Sequence, residues 1–155
     1  MRITLTLNGK KKNFDVPLNR TLRELLRSQG LWSVQQGCES GICGSCTVLL
    51  DGKAVNSCIM LAVQADGKSV TTYEAFAESH IYDSLFQTLM EFSHLQCGFC
   101  MPGMFISLKA LLDKNPEPSP EEIHDAIAGN ICFCTGNRKP LEEIVNAVKK
   151  IRGEW

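Results

Sequence analysis

The sequence lacks an excess of charge of either sign, a long apolar run and a signal-peptide pattern. Its 16 basic and 17 acidic residues leave a net charge of −1, with no basic stripe to neutralise a series of phosphates. No run reaches the roughly 18 apolar residues of a membrane span. Met1 leads directly into an alternating segment rather than a basic start and an apolar stretch. These absences argue against nucleic acid as a partner and predict a cytoplasmic protein without a membrane span.

The cysteine content is too low for a disulfide scaffold. Eight cysteines in 155 residues are about 5% of the chain, below the roughly 8–10% of small disulfide-stapled proteins. In a reducing compartment such thiols stay free, bind metal or do redox chemistry. With 44% hydrophobic residues, the chain can form one ordinary domain or two small ones.

The first half has the apolar alternation of β-strands. Residues 2–16 contain an Asn-Gly pair between two alternating segments, which predicts a β-hairpin. Thr21 and Glu24 form a capping-box pattern that predicts the start of a helix. Residues 47–55 predict a second hairpin around an Asp-Gly pair. Together these elements predict a small α+β domain over residues 1–76.

The second half, residues 77–155, changes to a helical period of about 3.6 residues. Apolar positions recur on one helical face over residues 81–90, and Pro102 is suited to the first turn of another helix. A capping box precedes a third predicted helix at residues 120–128, and the last is expected over 140–151. Four helices with short connections predict an all-α four-helix bundle.

Four cysteines of the first half have the spacing of a plant-type ferredoxin. They follow the pattern C-x4-C-x2-C with a distant fourth cysteine: Cys38, Cys43, Cys46 and Cys58. A [2Fe–2S] cluster needs four protein thiolates, two for each iron. Zinc is the main alternative, but its usual sites pair two short cysteine knuckles. The run of cysteines that is typical of bacterial [4Fe–4S] proteins is missing.

Glycines surround this first set of cysteines. A cluster with its thiolates carries a formal charge of about −2, so the loop around it has to direct backbone N–H groups at sulfur. Gly37, Gly41 and Gly44 permit the positive φ angles that such a wrapped loop requires.

The remaining four cysteines form two short pairs: Cys97, Cys100, Cys132 and Cys134. One pair precedes the predicted helix at Pro102 and the other follows the helix that ends near Gly129, so antiparallel packing would bring the pairs together. Paired knuckles also suit zinc. Spacing alone therefore leaves both an iron–sulfur and a zinc site open.

Three motifs resemble a known family over nearly the whole chain. They are G-C-E-x-G-x-C-G-x-C over residues 37–46, Q-C-G-F-C-x-P-G over residues 96–103, and G-N-x-C-x-C-T-G over residues 129–136. In order and spacing they resemble the small iron–sulfur subunit of the molybdenum hydroxylases. This group includes xanthine dehydrogenase, aldehyde oxidoreductase and aerobic carbon monoxide dehydrogenase.

The resemblance implies an N-terminal β-grasp ferredoxin domain and a helical domain, each with one [2Fe–2S] cluster. It implies a subunit of a hetero-oligomeric oxidoreductase that performs no substrate chemistry itself. Electrons from a molybdopterin site in a large subunit would pass through the helical-domain cluster and the ferredoxin-like cluster to an FAD subunit or another acceptor. By the same resemblance, Gln96 and Cys134 match positions that approach the pterin.

Two positions depart from the family pattern. Phe133 stands between the last two cysteines where arginine is usual, and Asn137 stands where tyrosine usually follows Thr-Gly. Loss of a cation beside a thiolate pair is expected to lower the potential of that cluster.

The main alternative function is a free ferredoxin-like electron shuttle, and a second is a zinc-stabilised interaction module. A shuttle usually carries a strong charge imbalance that steers its encounters, which the net charge of −1 does not provide. Substrate recognition would belong to another subunit of the whole enzyme.

Overall fold

A computed structural model describes residues 1–77, 87, 97–135 and 141–150. The first half contains five strands and one α-helix: β1 (Arg2–Leu7), β2 (Lys10–Asp15), α1 (Leu22–Ser28), β3 (Thr47–Leu50), β4 (Lys53–Asn56) and β5 (Ser69–Thr71). A short 3-10 helix spans Ala62–Ala65. Both predicted hairpins are present, as β1–β2 and β3–β4.

The local signals in the first half form the elements that they predict. Asn8 has a φ of 48° and Gly9 a φ of 78°, so the Asn-Gly pair forms a tight turn with both residues in the left-handed region. The Thr21 hydroxyl accepts a hydrogen bond from the Glu24 amide, and the Glu24 carboxylate accepts one from the Thr21 amide. This reciprocal capping box starts α1 as predicted.

The strands form one mixed sheet in the order β2-β1-β5-β3-β4. β1 runs parallel to β5, and the remaining pairs are antiparallel. Alternate β1 residues Ile3, Leu5 and Leu7 are buried, and they share a core with Leu22 and Leu26 of α1. The helix therefore packs across one face of the sheet, which is the β-grasp arrangement that the resemblance implies.

From Tyr73 onward the described part of the chain is mainly helical, with turns and loops between the helices. Its α-helices are α2 (Tyr73–Ala77), α3 (Met101–Leu112), α4 (Pro120–Ile127) and α5 (Leu141–Lys150), with a short 3-10 helix at Phe133–Thr135. Pro102 is the second rather than the first residue of α3. Of the helix predicted over residues 81–90, only Gln87 is described, and it is helical. None of the helices described is long and apolar enough to cross a membrane.

The helices surround a second core, centred on α3. Phe105 is 1% exposed, and its ring meets Tyr73 edge-on at a centroid distance of 5.2 Å. Val145 and Val148 of α5 are buried, as predicted from their helical spacing. Leu49 of β3 also belongs to this second core. The sheet thus packs α1 on one face and the helical half on the other.

The two halves meet most closely at the cysteine loop of the first half. The amide of Ile131 donates to the carbonyl of Cys43 at 2.9 Å, and the Asn130 side chain donates to the carbonyl of Gly44 at 3.1 Å. A β-carbon on Gly103 of α3 would lie 2.2 Å from that same Gly44 oxygen. No side chain larger than hydrogen fits at this contact without displacing the backbone.

Gly44→Ala is expected to destabilise the chain strongly. Gly44 has a φ of +68°, and a β-carbon there would lie 2.2 Å from the carbonyl oxygen of Gly129. The φ penalty alone is about 1–2 kcal/mol, and a backbone overlap adds to it. We expect a total loss of about 3 kcal/mol or more, measured as a lower midpoint of anaerobic thermal unfolding.

Gly67→Ala is the matched control for this prediction. Gly67 has a similar φ of +74°, and no atom lies within 4 Å of the position that a β-carbon would take there. The substitution therefore carries the φ penalty without the overlap. Equal loss of stability in the two variants would contradict the close approach of the two halves.

Candidate iron–sulfur centres

The first quartet consists of Cys38, Cys43, Cys46 and Cys58. Three of its members lie on the loop between α1 and β3, and Cys58 follows β4 by two residues. The hairpin returns Cys58 to the loop, where its thiol interacts with Cys46. Cys38 interacts in the same way with Cys43. The four thiols predicted from spacing are therefore brought together by the fold.

Backbone N–H groups surround the Cys38 sulfur. Burial raises the pKa of this thiol, but hydrogen bonds from Cys43, Ser40 and Ile42 outweigh burial and lower the pKa to about 6. Cys58 shows the opposite balance, because burial and the neighbouring thiol of Cys46 raise its pKa to about 12. A loop whose amides converge on sulfur is suited to an anionic cluster.

The glycines of this loop serve two different purposes. Gly41 and Gly44 have φ angles of 77° and 68°, as predicted. The prediction for Gly37 was wrong, since its φ is not positive. A β-carbon on Gly37 would lie 3.0 Å from the sulfur of Cys43 and 3.0 Å from the hydroxyl of Ser45. Gly37 is thus explained by crowding against the quartet rather than by its backbone conformation.

Two side chains at the first quartet retain hydrogen-bond donors without acceptors. The Nε and Nη1 atoms of Arg23 and the Oγ atom of Ser45 are buried, and none has a partner among the described residues. Ser45 lies between Cys43 and Cys46 in the chain and is 2% exposed. Buried donors without acceptors are costly. The sulfur atoms of a [2Fe–2S] cluster would accept such bonds, so the residues present fit this group.

The second quartet consists of Cys97, Cys100, Cys132 and Cys134. Cys100 immediately precedes α3, and Cys134 lies in the short helix at Phe133–Thr135. The sulfur atoms of Cys134 and Cys97 are 3.3 Å apart, and Cys132 interacts with Cys100. Antiparallel neighbours therefore bring the two pairs together as predicted.

The second quartet is more open to solvent than the first. Cys97 is exposed and Cys134 is partly exposed, whereas Cys100 and Cys132 are buried. A hydrogen bond from the Phe99 amide lowers the pKa of Cys97. Burial raises the pKa of Cys132, but hydrogen bonds from Thr135 outweigh it and produce a net lowering. The open side of the site is thus formed by the Cys97–Cys134 pair.

All eight cysteines carry free thiols, which leaves them available as ligands. Within the described part of the chain, no three His, Cys, Asp or Glu side chains are grouped so as to hold a single metal ion. A [2Fe–2S] cluster differs from a single ion because its four thiolates are divided between two irons. The pairwise grouping of the thiols in each quartet suits that division.

A cavity of about 430 Å³ lies beside the second quartet. It is lined from the first half by Gln36 and Gly37 and from the second half by Phe99, Ile131 and Phe133, with Cys97, Cys100 and Cys132. Phe133, at the edge of the cavity, is 63% exposed. The cavity therefore joins the two halves at the surface where the second quartet is open.

Gln96 and Asn137 lie outside the described residues. Conversely, sequence reasoning did not single out Arg23 or Ser45, and it gave Asn130 no role beyond its place in a motif. Ser45 could have been found from the sequence, because it lies between two cysteines of the motif. Arg23 is distant from the cysteine motif in sequence, and only the folded chain brings it near the site.

Comparison with known proteins gives matches over both halves. The profile of the 2Fe-2S iron-sulfur cluster binding domain matches residues 5–72, and that of the [2Fe-2S] binding domain matches residues 72–149. The nicotinate dehydrogenase small FeS subunit of Eubacterium barkeri is 45% identical, over 96% of this chain and 95% of that protein. The xanthine dehydrogenase iron-sulfur-binding subunit of Escherichia coli O157:H7 is 40% identical, over 95% of this chain and 94% of that protein.

The chain belongs to the small iron–sulfur subunits of the molybdenum hydroxylases. A chain in the crystal structure of quinoline 2-oxidoreductase from Pseudomonas putida 86 superposes on this iron–sulfur subunit with a TM-score of 0.86. The two are 40% identical, and the match covers 100% of this chain and 98% of the other. The fold class that the resemblance implied, a β-grasp domain followed by a helical [2Fe–2S] domain, is confirmed.

Membership of this family also decides between the alternatives. Two [2Fe–2S]-binding domains are present in the iron–sulfur subunit, which favours iron over zinc at the second quartet. The relatives are subunits of larger oxidoreductases, and a free ferredoxin-like shuttle is therefore not favoured. The division at residues 76 and 77 remains a prediction.

The thiols of the first quartet are expected to differ in reactivity when the chain is stripped of iron. Cys38, with a pKa of about 6, should be alkylated rapidly at pH 7, and its rate should fall as the pH drops through 6. Cys58, with a pKa of about 12, should stay slow up to strongly alkaline pH. The measurement is timed iodoacetamide labelling with peptide mass spectrometry. If Cys38 and Cys58 instead showed the same dependence of labelling rate on pH, with an ordinary thiol pKa near 8.5, the described hydrogen bonds to the Cys38 sulfur would be contradicted.

Proposed function

We propose that this chain relays electrons between the other subunits of a molybdenum hydroxylase and performs no substrate chemistry itself. Electrons would enter from a molybdopterin site in the large subunit and leave to an FAD-binding subunit or another acceptor. The names of the relatives support the assignment to a dehydrogenase or hydroxylase complex. The substrate differs among those relatives, so the proposal leaves the substrate to the partner subunit.

The contact between the two quartets is the observation that carries the proposal. The Cys43 carbonyl accepts a hydrogen bond from the Ile131 amide at 2.9 Å, and Ile131 directly precedes Cys132. One hydrogen bond and a short stretch of backbone therefore connect a residue of the first quartet with a residue of the second. A relay needs this kind of short connection, whereas two independent structural metal sites do not.

Each quartet is proposed to supply the four thiolates of one cluster. When bound, a [2Fe–2S] cluster takes up and releases one electron at a time. Gly41 and Gly44 allow the first loop to wrap closely, and buried Cys43 and Cys46 keep water from that site. The proposed approach of Gln96 and Cys134 to the pterin rests on the family pattern, and partial exposure of Cys134 is compatible with it.

The exposed apolar side chains support the proposed partners. Phe133 is 63% exposed beside the second quartet, and Ile42 and Ile59 are 63% and 67% exposed beside the first. Exposed apolar residues near both sites suit a subunit that docks on two neighbours. The proposed order is therefore a large subunit near Cys97 and Cys134, and the flavin or other acceptor on the side of the first quartet.

Single cysteine substitutions should remove one cluster at a time. The intact chain is expected to contain about four irons, two in each cluster. Cys58→Ala and Cys100→Ala should each lower the iron content to about two per chain, because each removes a ligand from a different quartet. Iron analysis and electron paramagnetic resonance (EPR) after dithionite reduction would test this. The two variants should lose different signals, and loss of the same signal in both would contradict the assignment.

Phe133→Arg is expected to raise the reduction potential of the helical-domain cluster. A cation beside this quartet would stabilise the more negative reduced state by about 1 kcal/mol at a partly exposed site, which corresponds to roughly 40 mV for one electron. Redox titration monitored by EPR is the measurement, with Phe133→Gln as the uncharged control. A downward or zero shift in the arginine variant would refute the expectation.

A further inference from the structure

Arg23 is held beside Cys58 by the backbone of α1. The amide of Arg23 donates to the carbonyl of Ser57 at 3.0 Å, and the amide of Leu22 donates to the carbonyl of Met60 at 2.7 Å. These bonds join the first turn of α1 to residues on both sides of Cys58. Main-chain hydrogen bonds therefore fix the backbone of Arg23 next to the first quartet, so that its side chain starts from a defined position.

Two nitrogen atoms of the Arg23 guanidinium have no acceptor among the described residues. Its Nε and Nη1 atoms are buried, and they make no hydrogen bond within residues 1–77, 97–135 and 141–150. The neighbouring carboxylate of Glu24 accepts from the Thr21 amide and hydroxyl in the capping box. Burying charged donors without acceptors is costly, so an anionic acceptor at this position would relieve the cost.

The charge of Arg23 reaches the quartet. The guanidinium of Arg23 lies close enough to Cys58 for its positive charge to act on that thiol. The guanidinium keeps its charge at any relevant pH. A permanent cation that acts on one ligand also acts on the whole anionic group that the ligand holds.

We propose that Arg23 tunes the first [2Fe–2S] centre by donating hydrogen bonds to its sulfur atoms and stabilising its reduced state. The inference rests on the proposed function. Reduction transfers one electron to the cluster, from the second centre in the relay or from a chemical reductant in a titration. The total formal charge with four thiolates changes from about −2 to −3. The nearby cation favours the more negative state, which raises the reduction potential of this centre alone.

Redox titration of the intact iron-loaded chain with EPR detection tests the proposal. Arg23→Met should change the reduction equilibrium of the first centre by about tenfold, a downward shift of about 59 mV for one electron. The second centre should not shift. Loss of one signal in Cys58→Ala identifies which signal belongs to the first centre. Arg23→Lys keeps the charge without the fixed fork of donors and should shift less than Arg23→Gln.

Arg20→Met is the charge-matched control. Arg20 lies just before α1, and its charge, like that of Arg23, acts on Glu24, whereas the charge of Arg23 also acts on Cys58. Arg20→Met should leave both potentials unchanged. An equal shift in Arg20→Met and Arg23→Met, an equal shift of both centres, or no shift in any Arg23 variant would overturn the proposal. If Arg23→Met fails to retain iron, the comparison of the lysine and glutamine variants decides the same question.

The iron content separates this proposal from the proposed function. A wild-type chain with about four irons and two reduced signals, together with unchanged potentials in the Arg23 variants, would overturn only the role of Arg23. A wild-type chain that lacks the second signal would overturn the relay itself.

Discussion

The contact of the Cys43–Gly44 backbone with the Asn130–Ile131 segment determines how the rest of the molecule is arranged. Two hydrogen bonds join these segments, from the Ile131 amide and from the Asn130 side chain. The Gly44 carbonyl also accepts from the Thr47 amide and hydroxyl. Because each segment adjoins cysteines of its own quartet, one buried polar contact sets the register between both sites. This contact requires glycine at positions 44 and 103, because a β-carbon at either position would overlap the backbone across the contact.

Much of the fold could be predicted from local signals. The Asn-Gly turn and the two capping boxes, at Thr21 before α1 and at Ser119 before α4, formed as expected, because each depends on residues at most a few positions apart. The division of cysteines into quartets was also readable, since the number of ligands and their spacing are dictated by the chemistry of the cluster. Burial of Val145 and Val148 followed from helical periodicity.

What the sequence did not reveal depends on contacts between distant segments. A glycine such as Gly37 ordinarily indicates a turn. In this structure glycine is required there because a β-carbon would crowd the side chains of Cys43 and Ser45. Arg23 lies on a helix, where a basic residue ordinarily indicates a solvated face, and only the pairing of α1 with Ser57 brings it to the quartet. The role of Asn130 depends equally on a carbonyl 86 residues away in the chain. Such relations have no local pattern.

Leu49 shows that the two domains share part of their hydrophobic packing. Its strand belongs to the β-grasp sheet, but its side chain is buried in the core built around α3. A ferredoxin domain excised from this chain would present that leucine, and the sheet face around it, to water. The two halves are consequently poor candidates for modular exchange, and an engineer who wished to graft either centre onto another scaffold would need to redesign this shared surface first.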